Sequence, residues 1–188
     1  MSLKLNVITV STRPGRVGPS VARWFCDFAT AHGGFVVQPV DLADFKLPVY
    51  DEPEHPMLQK YQHAHTRQWA ESVASADAYA FVLPEYNYNP PPAFYNALNY
   101  VYREWNYKPA GLVSYGGVSG GLRSAQTAKQ LLTTLKVVPM TEGVAVPMVA
   151  RLLDENRNFP SNELIDKSAT TLLDEMVKWA KALKTMRS

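Results

Sequence analysis

The 188-residue chain has a single cysteine, Cys26, which excludes an intrachain disulfide framework. Next to Phe25 on an expected helix, it is assigned to packing. Long apolar runs are missing too: no stretch approaches the roughly 20 residues of a membrane span, and the opening residues lack the basic and apolar blocks of a secretory signal. These absences predict a cytoplasmic protein without a membrane partner. An excess of one charge is likewise absent, and a formal net charge of +2 from scattered Lys and Arg is too small for a nucleic-acid surface. No tight Gly-x-Gly-x-x-Gly follows the first apolar run and no Gly-Lys-Ser/Thr occurs, which argues against a Rossmann dinucleotide site and a phosphate-loop NTPase. No metal is expected, because His32, His63 and His65 lack Cys or carboxylate partners at a recognisable spacing. A Ser-His-Asp set has little support, since His55, His63 and His65 lie in a proline-rich passage.

What is present is apolar material in a repeating order. Hydrophobic residues make up 46% of the chain and charged ones 19%, which suits one domain, residues 1–188, with a sheet buried between helical layers. Leu5, Val7, Ile8 and Val10 form a first strand, ended by a Ser/Thr/Arg/Pro/Gly segment. Val21, Trp24, Phe25 and Phe28 then recur at helical spacing. Ser11 or Ser20 is expected to satisfy free backbone donors where that helix begins. A strand, a polar loop and a helix N-terminus in succession gather N–H groups around an anion, and Arg13 and Arg16 add guanidinium donors suited to an oxyanion.

Gly33 and Gly34 stop this helix, and Phe35 to Val40 read as a second strand. From Asp44 to His65 the prolines Pro48, Pro53 and Pro56 predict a long surface loop. A helix from Thr66 to Ser75 and the continuous apolar run Tyr79 to Leu83 follow, the latter a strand covered on both faces. It stops at Pro84-Glu85-Tyr86-Asn87-Tyr88-Asn89, closed by Pro90, Pro91 and Pro92, after which a helix runs through Val101. Ala110 to Tyr115 make a fourth strand, and Gly116, Gly117, Gly120 and Gly121 around Ser119 offer main-chain donors without side-chain obstruction. A fifth strand is expected in two halves, Val137 to Met140 and Val144 to Met148, broken near Glu142-Gly143. The closing helix, Glu163 to Lys184, is capped by Asn162 or Ser161 and carries Leu164, Leu172, Leu173, Met176, Trp179, Ala180 and Leu183 as its apolar positions. The alternation specifies an α/β, three-layer, doubly wound domain with ligand loops after strands one, three and four on one edge.

With those loops located, the chain resembles the NADPH-dependent FMN reductase family of flavodoxin-like proteins, which includes NAD(P)H quinone, azo and chromate reductases. Three motifs carry the resemblance: Ser11, Arg13 and Ser20 in the first loop; Pro84-Glu85-Tyr86-Asn87; and Ser114, Gly116, Gly117, Gly120, Gly121 and Arg123. The resemblance implies a five-stranded parallel sheet of order 2-1-3-4-5. It further implies FMN held by its phosphate at Ser11, Arg13 and Ser20 and by its ring between the two later loops, with Glu85, Tyr86 and Asn87 giving mainly backbone contacts. Arg16 is expected to touch the same phosphate or to read a phosphate on NADPH, a role open to Arg123 as well. Hydride would pass from NADPH or NADH through FMN to a quinone, flavin or similar small acceptor without a catalytic acid or base; a flavodoxin-like electron carrier or flavin-binding sensor is the alternative. The family also implies a homodimer or homotetramer, with Leu47 to Tyr50 and Phe94 to Trp105 as interface segments. Where the family commonly has Leu-Lys-Asn-Ala-Leu-Asp, this chain has Phe94-Tyr95-Asn96-Ala97-Leu98-Asn99, so Tyr95 and Asn99 replace two charged residues.

Overall fold

Along the segment Ala78–Pro84 (β3) every residue is buried, and its two faces differ in size. Ala78, Ala80 and Val82 meet one helical layer, whereas Tyr79, Phe81 and Leu83 meet the other. Such two-sided burial is what a central strand of a parallel sheet requires. The computed structural model, which describes residues 2–187, places β3 between Lys4–Thr9 (β1) and Pro109–Tyr115 (β4), with Val36–Asp41 (β2) and Val138–Val146 (β5) at the edges. All pairings are parallel and the order is β2-β1-β3-β4-β5, as expected. The chain reverses its direction of winding between β1 and β3, which opens a crevice at the strands' C-terminal ends.

Helices Gly18–His32 (α1) and Glu163–Lys184 (α5) cover the small-residue face; Ala64–Ala74 (α2), Pro92–Tyr100 (α3) and Leu122–Thr134 (α4) cover the aromatic face. Helix α5 lies close on β4 because Gly111 has no side chain: a Cβ there would sit 2.6 Å from Met176 Sδ. Gly33 ends α1 in the left-handed conformation, and Asn162 Oδ1 caps α5 by accepting from the Ile165 amide at 3.1 Å.

Several expectations are corrected. Helix α2 begins at Ala64, two residues before the predicted start. Strand β5 is one strand, not two halves, and the predicted break is a register shift in which Pro139 pairs with Ala110 and Gly143 with Leu112. On α5, Leu164 is 74% and Trp179 43% exposed, while Ile165 and Ala169 take the buried stripe. Phe94, Tyr100 and Trp105 were expected at a subunit interface, but all three lie in the aromatic core, where Trp105 stacks edge-on against Trp69 and Tyr79. The aromatic layer on one face of β3 is deep enough to take in these side chains.

The long passage between β2 and α2 is ordered by Glu52, whose carboxylate accepts from the Gln62 and His63 amides at 2.8 and 3.0 Å. Burial opposes its ionisation, yet these hydrogen bonds outweigh burial and hold its pKa below the usual carboxylate value.

Candidate functional site

Three loops meet at the C-terminal edge of the sheet around a cavity of about 300 Å³, the size range of small-molecule sites. Arg13 and Val17 come from the loop after β1, Pro84, Glu85 and Tyr86 from the loop after β3, and Tyr115, Gly116 and Gly117 from the end of β4. The fourth wall, Met148 to Arg151, follows β5. Of the residues singled out in the sequence, Arg13, Pro84, Glu85, Tyr86, Gly116 and Gly117 line this cavity.

The first loop is shaped for an anion. The amides of Thr12, Arg13 and Gly15 donate to no backbone carbonyl among the described residues, and the positive end of α1 begins at Gly18. No side chain caps that helix, so the expectation that Ser11 or Ser20 would do so is corrected. Ser11 is buried and its hydroxyl accepts from Tyr115 Oη at 3.1 Å. Ser20 faces a separate groove with Arg23, Trp24 and Phe159. Gly18 makes the arrangement possible, because a Cβ at that position would overlap Ser11 Oγ and lie 2.7 Å from Tyr115 Oη. Arg13 lines the cavity and, among the described residues, has no carboxylate partner and one hydrogen bond, to the Pro14 carbonyl at 3.4 Å. Arg16 does not line the cavity: its guanidinium closes on Asp41 at 2.9 and 2.6 Å and on the Ser11 carbonyl at 2.6 Å. It therefore ties the loop to the end of β2 and is not a free phosphate ligand.

The loop after β3 is a tight turn with Asn87 and Tyr88 at positive φ, bridged between Tyr86 and Asn89. Its backbone is less available than the sequence suggested. The Glu85 and Tyr86 amides already donate to Tyr115 O and Asn89 O, and Asn87 is exposed away from the cavity lining. Glu85 acts through its side chain, which accepts from Ser119 Oγ at 2.9 Å and Arg123 Nε at 2.7 Å and so joins the two loops. Burial opposes the Glu85 carboxylate, and Arg123 and Ser119 together outweigh it and lower its pKa. The Arg123 guanidinium also lies 3.8 Å from the Tyr88 ring centroid.

In the glycine loop, Gly121 adopts φ +81° and a Cβ there would come within 2.7 Å of the Tyr115 amide, which only glycine tolerates. Gly117 is the converse: a Cβ would meet nothing within 4 Å, and its amide has no backbone carbonyl partner among the described residues. Ser114 and Gly120 stay behind the wall, the Ser114 hydroxyl donating to Gly120 O at 2.9 Å. The run Gly117-Val118-Ser119-Gly120-Gly121 spells the Gly-x-Ser-x-Gly pattern of serine hydrolases, but Ser119 donates to Glu85 and no histidine reaches it. Sequence reasoning missed Gly18, Tyr115 and the segment Met148 to Arg151. The last is fixed by its amides, Met148 N to Gly117 O at 2.9 Å and Val149 N to Gly116 O at 3.2 Å, contacts without a sequence signature.

Comparison with known proteins gives the family. The family model described as NADPH-dependent FMN reductase matches residues 3–151. An NAD(P)H-dependent FMN reductase of Schizosaccharomyces pombe is 37% identical over 148 residues, 77% of this chain and 74% of its own length. A quinone reductase of Escherichia coli is 32% identical over 149 residues, 76% of this chain and 77% of its own. Among solved structures, the flavoenzyme NAD(P)H:(acceptor) oxidoreductase FerB of Paracoccus denitrificans superposes with a TM-score of 0.75 at 20% identity, covering 96% of this chain and 98% of its own, and so shares the fold. The chain belongs to the NADPH-dependent FMN reductase family.

Proposed function

We propose that this chain is a single FMN-binding unit that moves hydride from NADPH or NADH to a quinone, flavin or similar small acceptor. One observation carries the reading: an anion-shaped loop with the unpaired Arg13 and an unobstructed glycine wall at Gly117 share one cavity at the sheet's winding reversal. FMN, when bound, supplies a ring that accepts hydride at N5 and yields it to the second substrate. The residues present fit that group. Arg13 and the free loop amides would hold the phosphate, with the α1 terminus adding roughly 0.3–1 kcal/mol. Gly117 would let the ring lie flat against backbone and offer its amide to a ring oxygen or nitrogen, where a donor stabilises the charge developing on reduction. Tyr86 and the Met148 to Arg151 segment bound the remaining sides.

No helix among the described residues is long and apolar enough to cross a membrane, and we assign the protein to the cytoplasm. We also infer a homodimer or homotetramer that uses the groove formed by Leu47, Val49, Tyr50, Ala93 and Tyr95, where Val49 is 88% exposed. Tyr95 and Asn99, the positions that depart from the family's usual charges, lie in the same groove.

The test is spectroscopic. The purified protein with FMN added should show a bound flavin band that bleaches on anaerobic titration with NADPH, and turnover should continue when a quinone is supplied. Failure to take up FMN overturns the reading; uptake without bleaching or turnover identifies a carrier or sensor instead.

A further inference from the structure

The cavity offers a guanidinium group beyond Arg13. The cavity wall holds Arg13 and Arg151 against one carboxylate, Glu85, which Arg123 already occupies. Arg151 has no side-chain partner among the described residues and is exposed. Arg157, six residues further along the connection from β5 to α5, has its backbone at φ +60° and donates to the carbonyls of Gly15 and Arg16 at 3.4 and 3.2 Å. Neither contact neutralises its charge, and the guanidinium keeps unused donors. Asp154, three residues before Arg157, is held by the Asn158 amide and side chain at 2.7 and 3.0 Å, and Glu155, two residues before it, pairs with neither arginine among the described residues. The two arginines proposed from sequence for a dinucleotide phosphate, Arg16 and Arg123, are closed on Asp41 and Glu85.

The same connection is pinned at both ends. Met148 and Val149 fasten its start to the glycine loop, and Arg157 fastens its later part to the phosphate loop. Beyond Arg157, Asn158 and Phe159 form one wall of a second groove of about 330 Å³, whose other wall is Ser20, Arg23, Trp24, Asp27 and Phe28 on α1. Trp24 is half-buried and meets Phe159 edge-on, with ring centroids 5.3 Å apart. Arg157 thus stands between the cavity and an aromatic groove.

We propose that Arg151 and Arg157 receive the 2′-phosphate of NADPH while its adenine lies in the groove beside Trp24 and Phe159. Guanidinium groups match phosphate oxygens in geometry and charge, and an aromatic wall suits a purine. The inference rests on the flavin-reductase reading and names the donor subsite of that same site.

Calorimetric titration of the FMN-loaded protein with adenosine 2′,5′-bisphosphate and, separately, with 5′-AMP tests it. The bisphosphate is expected to bind at least tenfold more tightly, and Arg151→Gln and Arg157→Gln are each expected to narrow that ratio toward one. A ratio near one in the unmodified protein, or a ratio unchanged in both variants, overturns the proposal. If the Arg157 variant loses FMN through its loop contact, the Arg151 variant decides alone, and an unchanged ratio there overturns it. A protein that takes up FMN and is bleached by NADPH but fails these titrations keeps its reductase assignment and loses only this subsite. A protein that takes up no FMN loses both.

Discussion

Tyr115 Oη donates to Ser11 Oγ at 3.1 Å across 104 residues of sequence, joining the end of β4 to the loop after β1. Burial holds the Tyr115 phenol above its usual pKa, so it remains a donor through the neutral range. Gly18 packs against both oxygens. Gly18→Ala should therefore cost about 1–3 kcal/mol of stability by overpacking, and Tyr115→Phe about 0.5–1.5 kcal/mol. Urea denaturation of the two variants measures both. An unchanged midpoint for Gly18→Ala would show that the contact relaxes freely.

Arg13→Ala should weaken FMN binding by about 1.5–3 kcal/mol, or roughly ten- to a hundredfold in Kd, because one charge-assisted contact is lost. Stability without FMN should hardly move, since Arg13 is exposed and unpaired by any carboxylate. Fluorescence titration with FMN, alongside thermal melts of the apo form, separates the two effects.

Gly117→Val should leave the fold intact yet reduce FMN affinity at least tenfold. Gly117 lines the cavity, and nothing beyond its chain neighbours lies within 4 Å of a Cβ there, so the added side chain stands in open space at the cavity wall where the flavin ring would lie. Retained FMN affinity in a normally folded variant would move the flavin off this wall.

Arg123→Ala should cost little stability, because the Arg123 side chain is half-exposed and solvent screens the pair. The effect should depend on acidity. The folded Glu85 pKa is depressed, so the Glu85 contribution is fully present above its unfolded value of about 4.3 and fades as pH falls below it. In melting curves the stability difference between parent and variant should stay constant from pH 7 down to about 5, and it should shrink only as pH falls through the depressed Glu85 pKa.

Lys108 gives the opposite end of the pH scale. Its ammonium is buried at the C-terminus of α2, donating to Val73 O and Ala74 O at 2.9 and 3.2 Å, and burial, aided by Arg187, lowers its pKa to about 7. The unfolded chain then binds more protons than the folded one above pH 7. Stability should rise with pH from about 7 to 9 by up to roughly 1.4 kcal/mol per unit from this group. Cys26, whose thiol is raised to about 11 by burial and by Asp27, acts with opposite sign only as its unfolded thiol ionises, near pH 9. Lys108→Met should flatten the slope between pH 7 and 9 in denaturation measurements; an unaltered slope would remove Lys108 as its source.

Element order was legible because it rests on local periodicity. The run from Tyr79 to Leu83 could only be a strand with both faces covered, and Gly33 could only end a helix there. The register shift in β5 was visible as a break at Glu142-Gly143 but not as a bulge, since pairing with Ala110 and Leu112 is a property of two strands. Leu164 and Ile165 sit one residue apart on α5, and α5's position against the sheet decided which one faced solvent. Phe94 and Trp105 looked surplus because the depth of the aromatic layer is not written in any one segment.

By itself the sequence determined the strand and helix succession and the three turns that converge on one edge. These follow from short-range spacing and from glycine and proline chemistry, which act within a few residues. Tertiary structure alone decided which charged groups remain free to meet a ligand. Arg16 and Asp41 are 25 residues apart, and Arg123 and Glu85 38 apart; only chain folding brings each pair into contact, and contact spends the charge. Arg13, equally an arginine in the same first turn, keeps its charge because no carboxylate was carried to it.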